Sequence, residues 1–261
     1  MQPTLSDLKN WSYQAGEILR AGYGQQHQIH NKGLVDLVTE VDHLSEALLM
    51  ERIQQRFPSH TIITEESGHI SGRGDGCWYI DPLDGTVNYA HGVPIFCTSL
   101  AYTEGGQIKL GVVYDPLREE CYSAELGKGA WLNDQPIHVS DTGELIKSLL
   151  VTGFPYDTWS SPKNNLVNFE RFARRTQGVR RLGSAALDLC YVACGRLDGF
   201  WELKIGTYDI AAGGLIAREA GAIVTAMDGK PDFLAVPCSI LAANPALHPL
   251  MLEVLQEGED T

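Results

Sequence analysis

The fold and the candidate functional site depend on one stretch of the sequence, WYIDPLDGTVNY, which occupies residues 78–89. The aromatic and β-branched residues at its start predict a short buried strand over Cys77–Ile80. The stretch then changes abruptly to two carboxylates, a proline, a glycine and a threonine. Because Pro82 fixes its own φ and keeps the preceding residue extended, we expect Asp81 and Asp84 to point into one space where the strand ends.

The residues of this turn favour a site for hard cations and an anion. Carboxylate oxygens suit Mg²⁺ better than they suit zinc or copper. Gly85 lets the backbone approach a ligand closely, and the amides of Gly85 and Thr86 would cradle an anion if a helix begins there. The alternative is an ordinary polar turn, because Asp, Pro and Gly all occur frequently in turns.

Composition predicts a globular chain and limits its partners. The 261 residues are 44% apolar and 20% charged, which is enough for a sizeable core. The formal net charge of -13 opposes binding to a nucleic-acid backbone, and it would repel an anionic substrate unless metal ions reverse the local sign. No segment resembles a signal peptide or a membrane helix, so we expect a soluble, cytoplasmic protein whose six cysteines are reduced core residues.

The hydrophobic pattern predicts two halves that meet near residue 140. Residues 1–140 form the first half: an amphipathic helix over Leu5–Leu19, a second helix that begins near Thr39, and then an antiparallel meander of strands. Residues 141–261 form the second half, in which strands alternate with helices. Because no linker separates the halves, we expect one continuous core that mixes α+β and α/β organisation.

Acidic residues follow two of the predicted strands. Glu65 and Glu66 come directly after the strand Thr61–Thr64, just as Asp81 follows its own strand. Open sheets that carry helices bind ligands at the carboxyl ends of their strands, so these acids are expected to share a site. Asp209 lies at the start of a helix of small residues, which would let that helix pack very close to the first half.

Two further acids, Asp36 and Asp42, precede and begin the second helix, where both could reach a shared metal cluster. The alternative for Asp42, and equally for Asp209, is a helix cap that also favours the helix dipole.

Several motifs, taken together, resemble the inositol monophosphatase family. In chain order they are TEES at residues 64–67, DPLDGTVN at 81–88, GSAA at 183–186, Glu202, and DIAAG at 209–213. The resemblance covers nearly the whole chain and implies a layered αβαβα sandwich of the sugar-phosphatase type. Two positions depart from the family pattern: Thr64 replaces the usual Gly before the paired glutamates, and Tyr208 replaces Trp.

The resemblance also implies a role for each candidate residue. The implied ligands of two Mg²⁺ ions are Glu65, Asp81, the carbonyl of Leu83, Asp84 and Asp209. A third, weaker ion would involve Glu65. The implied catalytic residues, which position and deprotonate an attacking water, are Glu65, Thr86 and Asp81. The implied substrate contacts are Gly85, Thr86, Ala185, Glu202 and Asp209. The acids implied to act behind the ligands, mainly through water, are Asp36, Asp42 and Glu66.

The implied activity is Mg²⁺-dependent hydrolysis of inositol monophosphate, or of a related small sugar phosphate, by direct attack of water. The resemblance further implies a homodimer that Li⁺ inhibits, with a small phosphorylated polyol as its partner and neither a nucleic acid nor a membrane. Fructose 1,6-bisphosphate, histidinol phosphate and 3'-phosphoadenosine phosphates remain alternative substrates. A regulatory role in transcription assemblies, as in some relatives, is the non-enzymatic alternative.

Two other phosphatase mechanisms fit the sequence poorly. An Asp-x-Asp-Gly-Thr nucleophile motif needs one residue between its acids, and here two residues separate Asp81 from Asp84. The spacing of Cys190 and Arg196 matches a cysteine phosphatase loop, but the residues between them are typical of a buried helix and not of a glycine-rich phosphate cradle.

Overall fold

The computed structural model describes residues 2–27, 29–31 and 37–257. The helices in this part of the chain are α1 (Leu5–Gly22), α2 (Glu40–Arg56), α3 (Thr86–Ala90), α4 (Leu166–Ala173), α5 (Ala185–Ala193), α6 (Thr207–Glu219) and α7 (Leu247–Gln256). Each helix in these ranges is too short or too polar to cross a membrane.

The strands form two main sheets and a small ribbon. The ribbon pairs β1 (Ile29–Asn31) with β2 (Leu37–Thr39). The large sheet contains β3 (Thr61–Thr64), β4 (Gly68–Ile70), β5 (Gly76–Asp84), β6 (Cys97–Glu104), β7 (Gln107–Asp115), β8 (Glu120–Glu125), β9 (Gly129–Leu132) and β10 (Gln135–Pro136), in the order β10-β9-β8-β7-β6-β5-β3-β4. The small sheet contains β11 (Leu149–Thr152), β12 (Gly178–Arg180), β13 (Gly199–Leu203), β14 (Ile223–Thr225) and β15 (Ser239–Ala243), in the order β12-β11-β13-β15-β14.

The helices and sheets form five alternating layers. Helices α1 and α2 cover one face of the large sheet, α5 and α6 lie between the sheets, and α4 and α7 cover the outer face of the small sheet. This confirms the predicted αβαβα sandwich. The predicted boundary near residue 140 falls between the last strand of the large sheet and the first strand of the small sheet; as a division into two halves it stays a prediction.

Side-chain alternation along β5 directs Asp81 toward the middle layer. Trp78 and Ile80 pack with the residues of α1 and α2, whereas Tyr79 packs against the core between the sheets. Successive strand residues point to opposite faces, so Asp81 shares the face of Tyr79. That face meets α6, whose first turn contains Asp209.

Strand β5, which contains Asp81, is longer than the sequence predicts. β5 runs past Ile80 to Asp84, so Asp81 lies inside the strand and not at its end. The register against β6 shifts between Asp81 and Asp84, where Pro82 has no backbone N–H to offer the ladder. This irregularity is what lets two acids of one strand reach the same cavity.

A cluster of aromatic rings next to α2 allows the pH dependence of folding stability to be tested. His60 stacks between Phe57 and Tyr102, with ring centroids 5.0 and 5.5 Å away, and its Nδ1 accepts a hydrogen bond from Trp78 Nε1 at 3.1 Å. Burial lowers the pKa of His60 below its ordinary value of 6.5. The unfolded chain therefore binds the proton more readily, so His60 stabilises the fold fully above pH 6.5 and less as the pH falls toward the lowered pKa.

We expect the His60→Asn variant to show this directly. Asn retains an acceptor close to the position of Nδ1 but cannot be protonated, and loss of the ring contacts costs about 1 kcal/mol. The difference in Tm between wild type and variant should be constant above pH 7 and should narrow as the pH falls below 6.5. Thermal unfolding measured from pH 8 to pH 5 tests this, and a difference that is constant across the whole range would contradict it.

Candidate active site

The acid-bearing ends of two neighbouring strands open into a cavity of about 330 Å³. β3 and β5 are adjacent and parallel, with Thr64 opposite Ile80, so the acids that follow are brought to one edge of the sheet, as predicted. The residues predicted for metal binding, catalysis or substrate contact all line this cavity: Glu65, Asp81, Leu83, Asp84, Gly85, Thr86, Ala185, Glu202 and Asp209.

Asp84 is fixed by the first turn of α5. Its Oδ2 accepts hydrogen bonds from Ser184 Oγ and from the Ala186 amide, both at 2.7 Å. Ser184 is the N-cap of α5 and is 100 residues away from Asp84 in the chain. The positive end of the helix dipole thus faces a carboxylate, which is the favourable arrangement.

Asp81 and Asp209 face each other across the interface between β5 and α6. The carboxyl of Asp81 is 1% exposed, and its Oδ1 accepts a hydrogen bond from the Leu83 amide at 3.0 Å. Asp209 accepts from the Gly206 amide at 2.9 Å, so it caps α6 as well as lining the cavity. The charge of Asp209 also acts on Asp81, so the two carboxyls lie close to each other.

Burial and like charge oppose ionisation of this acidic group. Burial first, and then the carboxylates of Glu65, Asp84 and Asp209, raise the pKa of Asp81 well above its usual value. Burial, followed by Glu65 and Asp84, raises the pKa of Asp209 in the same way. Burial raises the pKa of Asp84 to about 6, although its hydrogen bonds from α5 oppose the rise.

The chemistry of these donors fits hard divalent cations. Glu65, Asp81, Asp84 and Asp209 offer only oxygen atoms, and their mutual repulsion is what a bound cation would relieve. Among the described residues, no three His, Cys, Asp or Glu side chains stand in a complete ligand arrangement.

Gly85 and Thr86 form the start of α3 beside these acids. Gly85 has a φ of 97°, and a Cβ there would meet the Ile95 carbonyl oxygen at 2.8 Å, so only glycine fits. Thr86 Oγ1 donates to Asp42 Oδ1 and to the Leu83 carbonyl, each at 3.0 Å. The Thr86 hydroxyl is therefore held in one orientation at the cavity wall.

Two of the three acids predicted to act behind the metal ligands lie in the described part of the chain, and they have different hydrogen-bond partners. Asp42 is fully buried and caps α2, accepting from the amide and hydroxyl of Thr39 at 3.0 and 2.6 Å. The capping alternative is thus confirmed, while its contact with Thr86 also connects it to the site. The amide of Glu66 binds the carboxylate of Glu46. Asp36 lies outside the described residues.

Glu202 is a further acidic residue of the cavity wall. The carboxylate of Glu202 lies directly against Gly153, where any Cβ would overlap it. Burial, followed by the charge of Asp84, raises the pKa of Glu202 to about 8. Ala185, Arg181 and Asp188 line the same cavity.

The sequence analysis did not assign a role to some of the residues at the site. Glu46, Ser184, Arg181 and Asp188 were not predicted to take part. Ser184 precedes a helix and so carries the ordinary signature of an N-cap, which could have indicated a donor near Asp84. Glu46 occupies one more acidic position on an amphipathic helix, and only the tertiary structure reveals its partners.

Comparison with known proteins identifies the family. The sequence profile described as "Inositol monophosphatase family" matches residues 1–260. The chain is 48% identical over 260 residues to "Inositol-1-monophosphatase" of Synechocystis sp., covering 96% of this chain and 90% of that protein. It is 39% identical over 259 residues to "Nus factor SuhB" of Pasteurella multocida, covering 98% and 97%.

A solved structure agrees with both sequence matches. The inositol monophosphatase from Anabaena (Nostoc) sp. superimposes with a TM-score of 0.88 at 43% sequence identity, covering 97% of this chain and 95% of that one. A layered arrangement of two sheets flanked by helices is the fold of this class of phosphatase. The chain belongs to the inositol monophosphatase family. Membership implies a phosphatase that depends on Mg²⁺.

Proposed function

We propose that the chain hydrolyses inositol monophosphate, or a closely related polyol monophosphate, with the help of two or three Mg²⁺ ions. One observation carries the proposal: four carboxylates, from β5, α6 and the turn after β3, line a single cavity together with Glu202. The family match and the Synechocystis relative support the same reading.

In this proposal each Mg²⁺ ion is bound by a particular set of these acids. Glu65, Asp81 and the carbonyl of Leu83 would hold one ion, while Asp81, Asp84 and Asp209 would hold another; Glu65 would also contribute to a third. Bound Mg²⁺ supplies positive charge that stabilises the phosphate and the departing alkoxide and makes water easier to deprotonate.

Side chains and backbone amides of the chain would orient the attacking water, accept its proton and bind the phosphate. Thr86 directs its hydroxyl hydrogen to Asp42 or Leu83, so its oxygen is left to accept a hydrogen bond from the attacking water. Glu65 lies in the same cavity and would take the proton from that water. The amides of Gly85 and Thr86 would donate to the phosphate.

Glu202 would recognise the alcohol. Because its pKa is raised to about 8, the carboxyl holds a proton at neutral pH for most of the time, and it can both donate to and accept from hydroxyl groups. The backbone near Ala185 would contribute a further contact. Glu202 would set the preference among phosphorylated alcohols, whereas the four carboxylates would perform the same chemistry on all of them.

A substrate panel with metal removal tests the proposal. We expect phosphate release to stop in EDTA and to return with added Mg²⁺, with inositol 1-phosphate leading fructose 1,6-bisphosphate, histidinol phosphate and 3'-phosphoadenosine 5'-phosphate by about tenfold in kcat/KM. Measured kcat/KM values for the four compounds decide the ranking. A wide lead for histidinol phosphate would refute the inositol assignment.

The relatives named Nus factor SuhB favour a second candidate, a regulatory binding role. If the purified protein released no phosphate from any sugar phosphate with Mg²⁺, that role would replace the enzymatic one. We further expect a homodimer, inhibition by Li⁺ and a cytoplasmic location, as the resemblance to the family implies.

A further inference from the structure

A buried carboxylate on α2 holds the turn that carries Glu65. Glu46 is 3% exposed, and the described residues that line the cavity do not include it. Its Oε2 accepts hydrogen bonds from Thr64 Oγ1 at 2.5 Å, from the Glu66 amide at 3.1 Å and from the Ser67 amide at 3.4 Å, while its Oε1 accepts from the Ser67 hydroxyl. One side chain therefore binds the residues on both sides of Glu65.

The turn has little freedom to move once Glu46 is in place. The Glu65 amide donates to the Ile80 carbonyl at 3.3 Å, and Thr64 pairs with Gly68 across the β3–β4 hairpin. The backbone of Glu65 is thus fixed to β5 on one side and, through its neighbours, to α2 on the other. A displacement of about 1 Å in a reacting or binding group can cost about 100-fold in rate, so such support has a functional consequence.

Helix α2 is itself fastened to the other parts of the site. Ser45 Oγ donates to the Pro82 carbonyl at 2.8 Å, and Asp42 accepts from the hydroxyl of Thr86. Asp42, Ser45 and Glu46 lie three and four residues apart, on one face of the helix, and all three are buried. One helix face therefore fixes the turn after β3, the irregular end of β5 and the start of α3 relative to one another.

The hydrogen bonds of Glu46 need a carboxylate in particular. A buried carboxylate is costly unless hydrogen bonds compensate for its lost hydration, and here all four partners are donors. An amide in the same place would keep its oxygen toward Thr64 and the two backbone amides without the charge that strengthens these bonds, and its NH₂ group would force the Ser67 hydroxyl to accept instead of donate. The exchange of Glu46 for Gln therefore disturbs the turn without changing the size of the side chain.

We propose that Glu46 is a positioning residue that sets the affinity of the cavity for Mg²⁺ by holding Glu65 in place. The inference rests on the role of metal ligand that Glu65 has in the proposed function. Glu46 itself contacts neither metal nor substrate, and it acts through the turn at residues 64–67. A residue with a merely structural role would change the stability of the protein but not its affinity for metal.

Calorimetric titration of the full-length protein with Mg²⁺, in the absence of substrate, separates the two roles. We expect Glu46→Gln to weaken Mg²⁺ binding by about 10- to 100-fold, the usual effect of removing a group that orients a metal ligand. The matched control is Glu51→Gln, the same exchange on the exposed side of α2, where the carboxylate accepts from Gln55 at 2.8 Å. The control should bind Mg²⁺ as the wild type does.

A second variant keeps the test decisive if Glu46→Gln does not fold. Ser67→Ala removes one hydroxyl donor from an exposed position, and we expect it to weaken Mg²⁺ binding by about 3- to 5-fold, the effect of about one hydrogen bond. Affinity equal to that of the wild type, in Glu46→Gln or, if that variant does not fold, in Ser67→Ala, would overturn the inference. A wild type that binds no Mg²⁺ would instead refute the metal assignment of the proposed function and the inference with it.

Discussion

The exchange of Asp81 for Asn is expected to remove nearly all activity and yet leave the metal-free protein as stable as the wild type, or more stable. Asn retains the acceptor for the Leu83 amide and can donate to Asp209, so the local hydrogen bonds survive. It also removes one charge from a group of buried carboxylates that repel one another. Without metal, that repulsion is a cost to the fold.

With metal the same exchange acts in the opposite direction. In the proposed function Asp81 is a charged ligand shared by two ions, and its loss would cost about 4 kcal/mol of transition-state stabilisation, which is about 10³-fold in kcat/KM. The rise in Tm that Mg²⁺ produces in the wild type should largely vanish in Asp81→Asn. Phosphate release and thermal unfolding, each measured in EDTA and in Mg²⁺, give both quantities.

Asp115→Asn is the matched control for a buried aspartate away from the cavity. Asp115 is 1% exposed, accepts from the Leu117 and Arg118 amides at 3.0 Å, and pairs with the Arg118 guanidinium at 2.8 Å. This variant should lose stability and keep kcat/KM within about twofold, because Asp115 does not line the cavity and β6 separates its strand from β5. Near-normal turnover in Asp81→Asn would refute the two-metal assignment.

Glu202→Gln is expected to change the choice of substrate more than the chemistry. Gln retains the size of the side chain against Gly153, but its donor is fixed on one of the two terminal atoms, whereas the proton of the acid can lie on either oxygen or be lost. We expect kcat/KM for inositol 1-phosphate to fall by about 10- to 100-fold, because a substrate hydroxyl that meets the NH₂ group in place of an oxygen loses its acceptor. For p-nitrophenyl phosphate, which has no ring hydroxyls, it should stay within about threefold.

The ratio of the two kcat/KM values is the measurement that decides the role of Glu202. Glu120→Gln is a suitable control, since Glu120 is also half-buried but pairs with Arg196 outside the cavity. That exchange should leave the ratio unchanged. An equal loss on both substrates in Glu202→Gln would show that Glu202 supports the structure and does not select the alcohol.

The parts of the fold and site that the sequence predicts are those that local chemistry specifies. The apolar strand before Asp81, the acid pair after Thr64 and the meander that follows each depend on neighbours in the chain. The resemblance to the family then connected these pieces, and it led to the correct layered fold. The close packing of α6 against the large sheet likewise follows from its small residues, and the structure confirms it.

The parts that sequence reasoning missed depend on contacts between distant residues. Nothing near Asp84 indicates that Ser184 binds it, and nothing near Glu46 indicates the turn at residues 64–67. The strand over Cys77–Ile80 was predicted too short, because a proline normally ends a strand and the shifted register that accommodates Pro82 depends on the pairing with β6. The assigned role of each site residue stays a prediction until the variants above are measured.

The spread of the carboxylates over β5, α6 and the turn after β3 couples metal binding to folding. A partly folded chain in which α6 has not packed against the large sheet would hold only part of the ligand set, so it would bind Mg²⁺ weakly. Any ligand that prefers the native state stabilises it in proportion to the logarithm of its concentration. If these carboxylates hold Mg²⁺ as proposed, metal affinity is also a measure of how completely the two sheets have assembled around the middle layer, and added Mg²⁺ would favour the assembled form.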